Sequence, residues 1–366
     1  MIRQIVSRTI RVKKNKIMDI KPTRICIFKI GAIGDVLMST PMVHALRQRY
    51  PKARIDYWTG SWSAKVLKGN KDLNSIISFD DKTFFNKRVD LIIALARQIS
   101  AQRYDAMFLL DKHWSLGTFG RLCNVPVRIG FDREGEGFAH TIAVPYLPVK
   151  HEVDYYLELA YRAGAKKVKQ PKMEFALSQQ DQKFASDFFA SHKLNPRKTI
   201  AVIAGGAKNP GQNMPIRRWP TEYFAFVAQA LEKEGWQIIL IGKSPGDDDT
   251  LPVMLQAVQN AANAIGDFTL QQSAALMQKC RLVICNDSGP LHIAAAVGTP
   301  TISIFGATDP NRKAPRGPKH LWVWNPIECV RAEAFGLYNE PRLMENILKV
   351  QPNHVIKAVH KLLKAK

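Results

Sequence analysis

From Arg24 onward the chain alternates short, β-branched apolar runs with longer amphipathic stretches. RICIFKI, ARIDYWTG, SIISFD, DAMFLLD and VRIGF have the composition of strands, and the segments that begin near Asp35, Trp62, Phe84 and Trp114 read as the helices between them. That rhythm is the βαβ repeat of an open, mostly parallel sheet. After a helix-rich bridge over about 151–195 a second set follows in KTIAVIAGG, WQIILIGK, RLVICNDSG and TPTISIFGA, nearly continuous apolar runs of the kind found in strands buried on both faces. WPTEYFAFVAQALEKEG, LQQSAALMQKC and PLHIAAAVG separate them as helices, and PNHVIKAVHKLLKAK closes the chain as an amphipathic helix with a basic end. The pattern predicts an α/β fold of two doubly wound halves facing a cleft near the carboxyl ends of both sheets, where any chemistry belongs.

A length of 366 residues fits two domains, each large enough for its own core. The boundaries read as a leader over 1–23, a first domain over 24–175, a bridge over 176–198, a second domain over 199–340 and a helical tail over 341–366. With 46% hydrophobic and 23% charged residues the composition is that of a globular protein, which sets aside the disordered, collagenous and disulfide-rich classes. No apolar run reaches the roughly 18 residues of a membrane span. The five cysteines, Cys26, Cys123, Cys280, Cys285 and Cys329, are odd in number and mostly embedded in apolar runs, the usage of reduced, buried thiols. The basic N-terminus is not followed by the apolar core of a secretory signal, so a cytoplasmic location is expected.

Charge changes the picture. Lys and Arg number 53 against 31 Asp and Glu, a net +22, and residues 1–174 hold 31 of the cations with 16 acids. A field of this sign attracts nucleic acid, an anionic membrane face or a phosphorylated substrate. The leader places Ile2, Ile5, Val6 and Ile10 at helical spacing among basic residues, either a short helix lying on anionic lipid or a solvated tail. No reading helix and no aromatic-studded basic stripe marks a nucleic-acid binder, so nucleic acid is not the expected partner.

Three segments can carry chemistry. Lys29-Ile30-Gly31-Ala32-Ile33-Gly34-Asp35 follows the first strand; Gly31 and Gly34 allow a sharp turn and close approach of a ligand, but the dinucleotide fingerprint is missing. Asp35 reads either as a helix N-cap or as a general base. In Cys285-Asn286-Asp287-Ser288-Gly289-Pro290-Leu291-His292, Ser288 or Gly289 suits a cap and Pro290 the first helical position, so that the amides of Ser288, Gly289, Leu291 and His292 point at an anion such as pyrophosphate. His292 alone also reads as a satisfied core histidine. The loop Ala204-Gly205-Gly206-Ala207-Lys208 with Arg217 and Arg218 ten residues on has the parts of a phosphate cradle. Asp247-Asp248-Asp249 fits a metal or ribose contact, or a helix start. No His, Cys and carboxylate set is spaced to hold a metal, and neither a metal nor an organic cofactor is expected.

Taken together, these segments resemble the glycosyltransferase family 9 heptosyltransferases of lipopolysaccharide inner-core assembly. KIGAIGDVLMSTPMVHALRQRYPKARIDYWTG is similar to the family's N-terminal signature and NDSGPLHIAAAVGTPTISIFGATDP to its C-terminal one. RRWPTEYFAFVAQAL is similar to its Lys-x-Trp-Pro helix, and RYDAMFLLDKHWSLGTFGRLCNVPVRIGFDR to the end of its acceptor domain. The resemblance implies a GT-B fold, two Rossmann-like domains facing an interdomain cleft. It also implies metal-independent transfer with inversion from ADP-L-glycero-D-manno-heptose to a growing lipid A core, at the cytoplasmic face of the inner membrane with a possible anionic lipid contact. On matching positions, Asp35 becomes the catalytic base. Gly205, Lys208, Arg217, Asp287, Ser288, Gly289 and His292 fall to the donor side, and Gly31, Gly34, Asp111 and His113 to acceptor-side loops. Arg217 stands where the family usually has a phosphate-binding lysine, which keeps the charge and changes the geometry. The other readings are a transferase of the same fold using another nucleotide sugar and a basic nucleic-acid-binding protein.

Overall fold

A computed structural model of the chain describes residues 21–146, 150–209, 212–243, 249–325 and 341–364, with the backbone path alone for 208, 209, 212, 213 and 341–344. Residues 1–20 of the basic leader, Asp247, Asp248 and Cys329 lie outside the described residues. Two compact units divide the chain, Met1–Glu174 and Phe175–Lys366.

In the first unit β1 (Arg24–Lys29), β2 (Arg54–Gly60), β3 (Ser75–Phe79), β4 (Ala106–Leu109), β5 (Val127–Asp132) and β6 (Ile142–Pro145) form one parallel sheet in the order β3-β2-β1-β4-β5-β6. β1 reads RICIFK, and its alternation sends Cys26 and Phe28 to one face. There they join a core cluster with Leu95, Ala96 and Ile99 of α2 (Val89–Ala101) and Leu116 and Phe119 of α3 (Trp114–Leu122). Phe28 stacks on Phe79 at 5.4 Å and meets Phe119 at 4.9 Å, so this layer is aromatic. The other face carries α1 (Ile33–Arg49), tied to β2 by the 2.9 Å hydrogen bond between Ser39 and the buried Tyr57, and α4 (Glu152–Arg162) packed beside it.

The second unit repeats the arrangement. β7 (Thr199–Ile203), β10 (Gln237–Lys243), β11 (Ala262–Gly266), β12 (Leu282–Asn286), β13 (Thr301–Phe305) and β14 (His320–Trp324) are parallel in the order β11-β10-β7-β12-β13-β14, and β8 (Lys208–Asn209) with β9 (Gln212–Asn213) makes a small antiparallel ribbon. Every residue of β7, β12 and β13 is buried, as the continuous apolar runs predict. α5 (Gln179–Ser191) and α7 (Leu270–Lys279), each opened by a capping box (Ser178 with Asp181, Thr269 with Gln272), pack together. Trp219, Phe224 and Leu231 around α6 (Thr221–Lys233) share a core with Ile200, Leu240 and Ile284, and Val355 and Val359 of α9 (Pro352–Lys364) enter the same cluster; α8 (Gly289–Ala296) follows β12 directly. Trp219 Nε1 donates to the Val350 carbonyl at 2.7 Å, fastening the C-terminal segment.

Both sheets thus have the 3-2-1-4-5-6 order of the doubly wound fold, with switch points between β1 and β4 and between β7 and β12. Besides the two-residue β8 and β9, the sequence reading lacks three strands of the six-stranded sheets, β6, β11 and β14; all are sheet edges, partly exposed, and β6 and β11 carry Pro, or Asn and Gly, that dilute the apolar signal. The helix expected from Phe84 is two pieces, Lys82–Phe85 and α2, separated at Lys87, whose φ is +50°. Cys26, Cys123, Cys280 and Cys285 are buried free thiols, as expected. Burial pushes the Cys123 thiol up to about 12. No helix among the described residues is long and apolar enough to cross a membrane.

Candidate functional site

At the β1/β4 switch point the first sheet ends in charge. Lys29, the buried last residue of β1, forms an ion pair with Asp111 just beyond β4, whose other oxygen accepts from the Ile30 amide at 2.8 Å. Lys112 donates to both carboxylate oxygens of Glu152, at 2.7 and 2.8 Å, and Glu152 is fully buried in the first turn of α4. The Lys112 ammonium also lies 4.5 Å from the centre of the Tyr146 ring. Asp35 sits in the first turn of α1, half-buried, at this same carboxyl edge. Burial raises the Tyr57 hydroxyl above its ordinary range, with added push from Asp111 and Asp35. Tyr156 is raised by burial and then by Asp35, Glu152 and Asp111. Both buried phenols thus feel Asp35 and Asp111, and Tyr156 feels Glu152 as well.

The helix cap suggested for Asp35 falls elsewhere. α1 starts at Ile33 behind Ala32, which makes no side-chain cap, and Asp35 is two residues inside. Gly31 and Gly34 flank that start, and a Cβ on Gly31 would stand 3.3 Å from Ser63 Oγ, so the turn passes close to the Ser61–Ala64 segment. His113 is the exposed N-cap of α3, accepting from the Ser115 amide at 3.3 Å.

At the β7/β12 switch point the second sheet ends in small residues and amides. Asn286, fully buried at the end of β12, accepts from the Trp219 amide at 2.9 Å and donates to the carbonyls of Ala204 at 2.9 Å and Gly205 at 3.2 Å. One side chain thereby fixes the Gly-Gly loop, the Arg217-Arg218-Trp219 segment and the start of α8. Gly206 has φ +91°, and a Cβ there would come within 2.9 Å of Ser288 Oγ, so only glycine lets the loop lie against the helix start. Ser288 is the N-cap residue of α8 without a side-chain cap bond, Gly289 is its first helical residue, and His292 is buried within the helix. Asp287, almost fully buried, faces Arg217, whose Nε lies 3.5 Å from Asp287 Oδ2. Arg218 instead pairs with Asp249 at 3.2 Å, one residue before Thr250, which precedes the Leu251–Ala257 helix. The Lys208 side chain lies outside the described residues. A guanidinium oriented by a buried carboxylate, beside helix N–H groups and a glycine loop, can hold a diphosphate.

The structure brings Gly205, Arg217, Asp287, Ser288 and Gly289 together at one edge, and Asp35, Gly31, Gly34 and Asp111 at another. Sequence reasoning missed Lys29, Lys112, Glu152 and Asn286. The signals were present in part: Lys29 is a lone cation ending an apolar strand, and Asn286 stands beside three residues already singled out. One further cluster, invisible in the spacing, joins His44, Asp72 and Glu174, whose ligand atoms lie within 4.8 Å of one another. It sits near the start of β3, at the opposite edge of the first sheet from Asp35.

Comparison with known proteins follows the same lines. Residues 92–335 match the profile of glycosyltransferase family 9 (heptosyltransferase). Lipopolysaccharide heptosyltransferase 2 of Salmonella typhimurium is 26% identical over 350 residues, covering 90% of this chain and 96% of that protein. The crystal structure of a glycosyl transferase family 9 protein from Veillonella parvula superposes with a TM-score of 0.81 at 21% identity, over 96% of this chain and 100% of the other. The ADP-heptose lipopolysaccharide heptosyltransferase II of Escherichia coli gives a TM-score of 0.72 at 21% identity, over 93% and 98%.

Proposed function

The chain belongs to glycosyltransferase family 9, and on that premise we propose that it moves a heptose from ADP-L-glycero-D-manno-heptose to the lipid A-linked inner core of lipopolysaccharide. Its fold is that of the GT-B heptosyltransferases, and it is a glycosyltransferase. The donor reading draws on the Escherichia coli protein, named for ADP-heptose, and the acceptor reading on the Salmonella relative, named for lipopolysaccharide. Buried reduced thiols and a nucleotide-sugar donor support a cytoplasmic setting.

The observation that carries the reading is the meeting of Gly206, Ser288 and the Arg217–Asp287 pair at the β7/β12 switch point, at the start of α8. The diphosphate of the donor rests there. Asp35 takes the proton of the acceptor hydroxyl, the acceptor oxygen bonds to the anomeric carbon, and the carbon–oxygen bond to the diphosphate breaks, its electron pair leaving with ADP. Attack from the face opposite the leaving group inverts the anomeric centre. Positive charge grows on the sugar and negative charge on the departing phosphate, so the Arg217 guanidinium and the α8 amides act more strongly in the transition state than on the bound donor. These groups supply the cationic role at the leaving group, and turnover is expected to survive chelation by EDTA. Lys29 and Lys112, each neutralising a carboxylate, preserve the shape of the acceptor edge around Asp35.

The test is mass spectrometry of products from ADP-heptose and heptose-deficient lipid A core. Addition of one heptose is expected. No addition with ADP-heptose, together with transfer from another nucleotide sugar, would replace the donor and leave the family standing.

A further inference from the structure

The large apolar side chains that the fold leaves exposed are unevenly spread. Among the described residues, seven of them, Trp62, Phe85, Val89, Leu91, Ile93, Trp114 and Leu122, belong to the first unit, whereas the second exposes only Phe226, Trp322 and Leu348, far apart in sequence. Six of these seven share a position in the fold, and Leu122 stands apart at the far end of α3. Trp62 follows β2, Phe85 and the start of α2 follow β3, and Trp114 opens α3 after β4, so each stands beyond the carboxyl end of a parallel strand. α2 and α3 lie side by side. This is the edge that carries Asp35 and Asp111.

The first two turns of α2 read VDLIIALA, apolar around the whole helix, a composition that ordinarily means burial. Leu95, Ala96 and Ile99 are buried in the core and the partly buried Ile92 packs against it, but Val89 is 64% exposed, and Leu91 and Ile93 are exposed with it. The one acid in those turns, Asp90, is held by Arg88 through bonds of 2.9 and 2.7 Å. Exposed cations border the patch: Lys82 and Lys87 beside Phe85, and Lys65, whose ammonium stands 5.7 Å from the centre of the Trp62 ring. Apolar and indole side chains ringed by lysines match the layering of a bilayer surface, acyl chains beneath and anionic phosphates above.

We propose that this carboxyl-edge patch of the first unit docks on the face of an anionic phospholipid bilayer, inserting Phe85, Val89 and Ile93 while Lys65, Lys82 and Lys87 contact lipid phosphates. The inference extends the reading of a lipid-anchored acceptor, since it puts the membrane beside Asp35. It rests on that reading for its purpose and on the exposed side chains for its chemistry.

The experiment floats the full chain with vesicles of phosphatidylethanolamine and phosphatidylglycerol, with no acceptor present. Wild-type protein is expected to float with these vesicles, less at 500 mM salt than at 50 mM, and not with pure phosphatidylcholine. Phe85→Ser/Val89→Ser/Ile93→Ser should weaken partitioning at least tenfold and Lys82→Gln/Lys87→Gln severalfold, both with unchanged melting temperature. Phe226→Ser, an exposed apolar site on the other unit, should float as wild type. The proposal is overturned if wild type does not float, if the triple variant floats normally, if flotation requires acceptor in the vesicle, or if the triple substitution instead converts a dimer to a monomer in sedimentation. Transfer to a soluble, de-acylated acceptor is measured in parallel. Its absence in wild type would count against the proposed reaction and leave the vesicle result intact, and the triple variant should retain it.

Discussion

The two sheets share a strand order and differ in what they place at the switch point. The first ends in fixed charge, with Lys29 against Asp111, Lys112 against Glu152, and Asp35 among them. The second ends in glycines, backbone amides and a buried asparagine, with one arginine turned by a buried aspartate. One topology therefore carries two different chemistries. Charged side chains on rigid strand ends can accept a proton and orient hydroxyls, whereas a surface without Cβ atoms lets backbone N–H groups reach a diphosphate.

The largest effect that would break this division comes from Asp35. Replacing it with Asn keeps size and removes the base, so turnover should fall about a thousandfold, roughly 4 kcal/mol of barrier, with the melting temperature unchanged. Turnover within threefold of wild type would take Asp35 out of the chemistry.

Asn286 should behave in the opposite way. Asn286→Ala leaves the Trp219 amide and the Ala204 and Gly205 carbonyls without their partner in a buried place. The expected loss is about 3 kcal/mol of stability, read by urea unfolding, with nucleotide affinity falling as the loop loosens. A stability equal to wild type would mean that the three segments do not depend on this side chain.

How much of this was legible in the sequence follows from the range of each interaction. Strands β1, β7, β12 and β13 announce themselves because burial on both faces demands continuous apolar residues, and Gly206 because its φ of +91° against Ser288 permits little else. The Lys29–Asp111 pair spans 82 residues, as does the bond from Asn286 to Ala204, and no local period encodes either. Glu152 reads as an ordinary helix-opening acid until the fold buries it against Lys112. The cap reading of Asp35 failed because the helix begins two residues earlier, at a backbone start without a side-chain partner. The exposed start of α2 has the composition of a core helix, and only the three-dimensional structure shows its first turns uncovered.

Acid sharpens the comparison at a smaller scale. Burial, with Arg128 nearby, lowers the first unit's His140 to about 4, and burial with Lys319 lowers the second unit's His320 to about 4. Each histidine is neutral when folded and takes up a proton more readily when unfolded. Its contribution is complete above about pH 6.5 and is lost as pH falls toward and through 4. His140 is 5% exposed and His320 more so, so the first unit should lose more, on the order of 2 kcal/mol between pH 6.5 and 5. Scanning calorimetry over that range should show the transition that His140→Gln makes pH-insensitive moving furthest. Equal shifts in both units would remove this asymmetry.

The division of labour is tested most directly by titrating ADP into Asp35→Asn and Arg217→Ala in parallel by calorimetry. The account predicts wild-type affinity for Asp35→Asn and at least tenfold weaker binding for Arg217→Ala, the loss of a charge-assisted contact worth about 1.5–3 kcal/mol. Unchanged affinity in Arg217→Ala, or an equal loss in both variants, would contradict it.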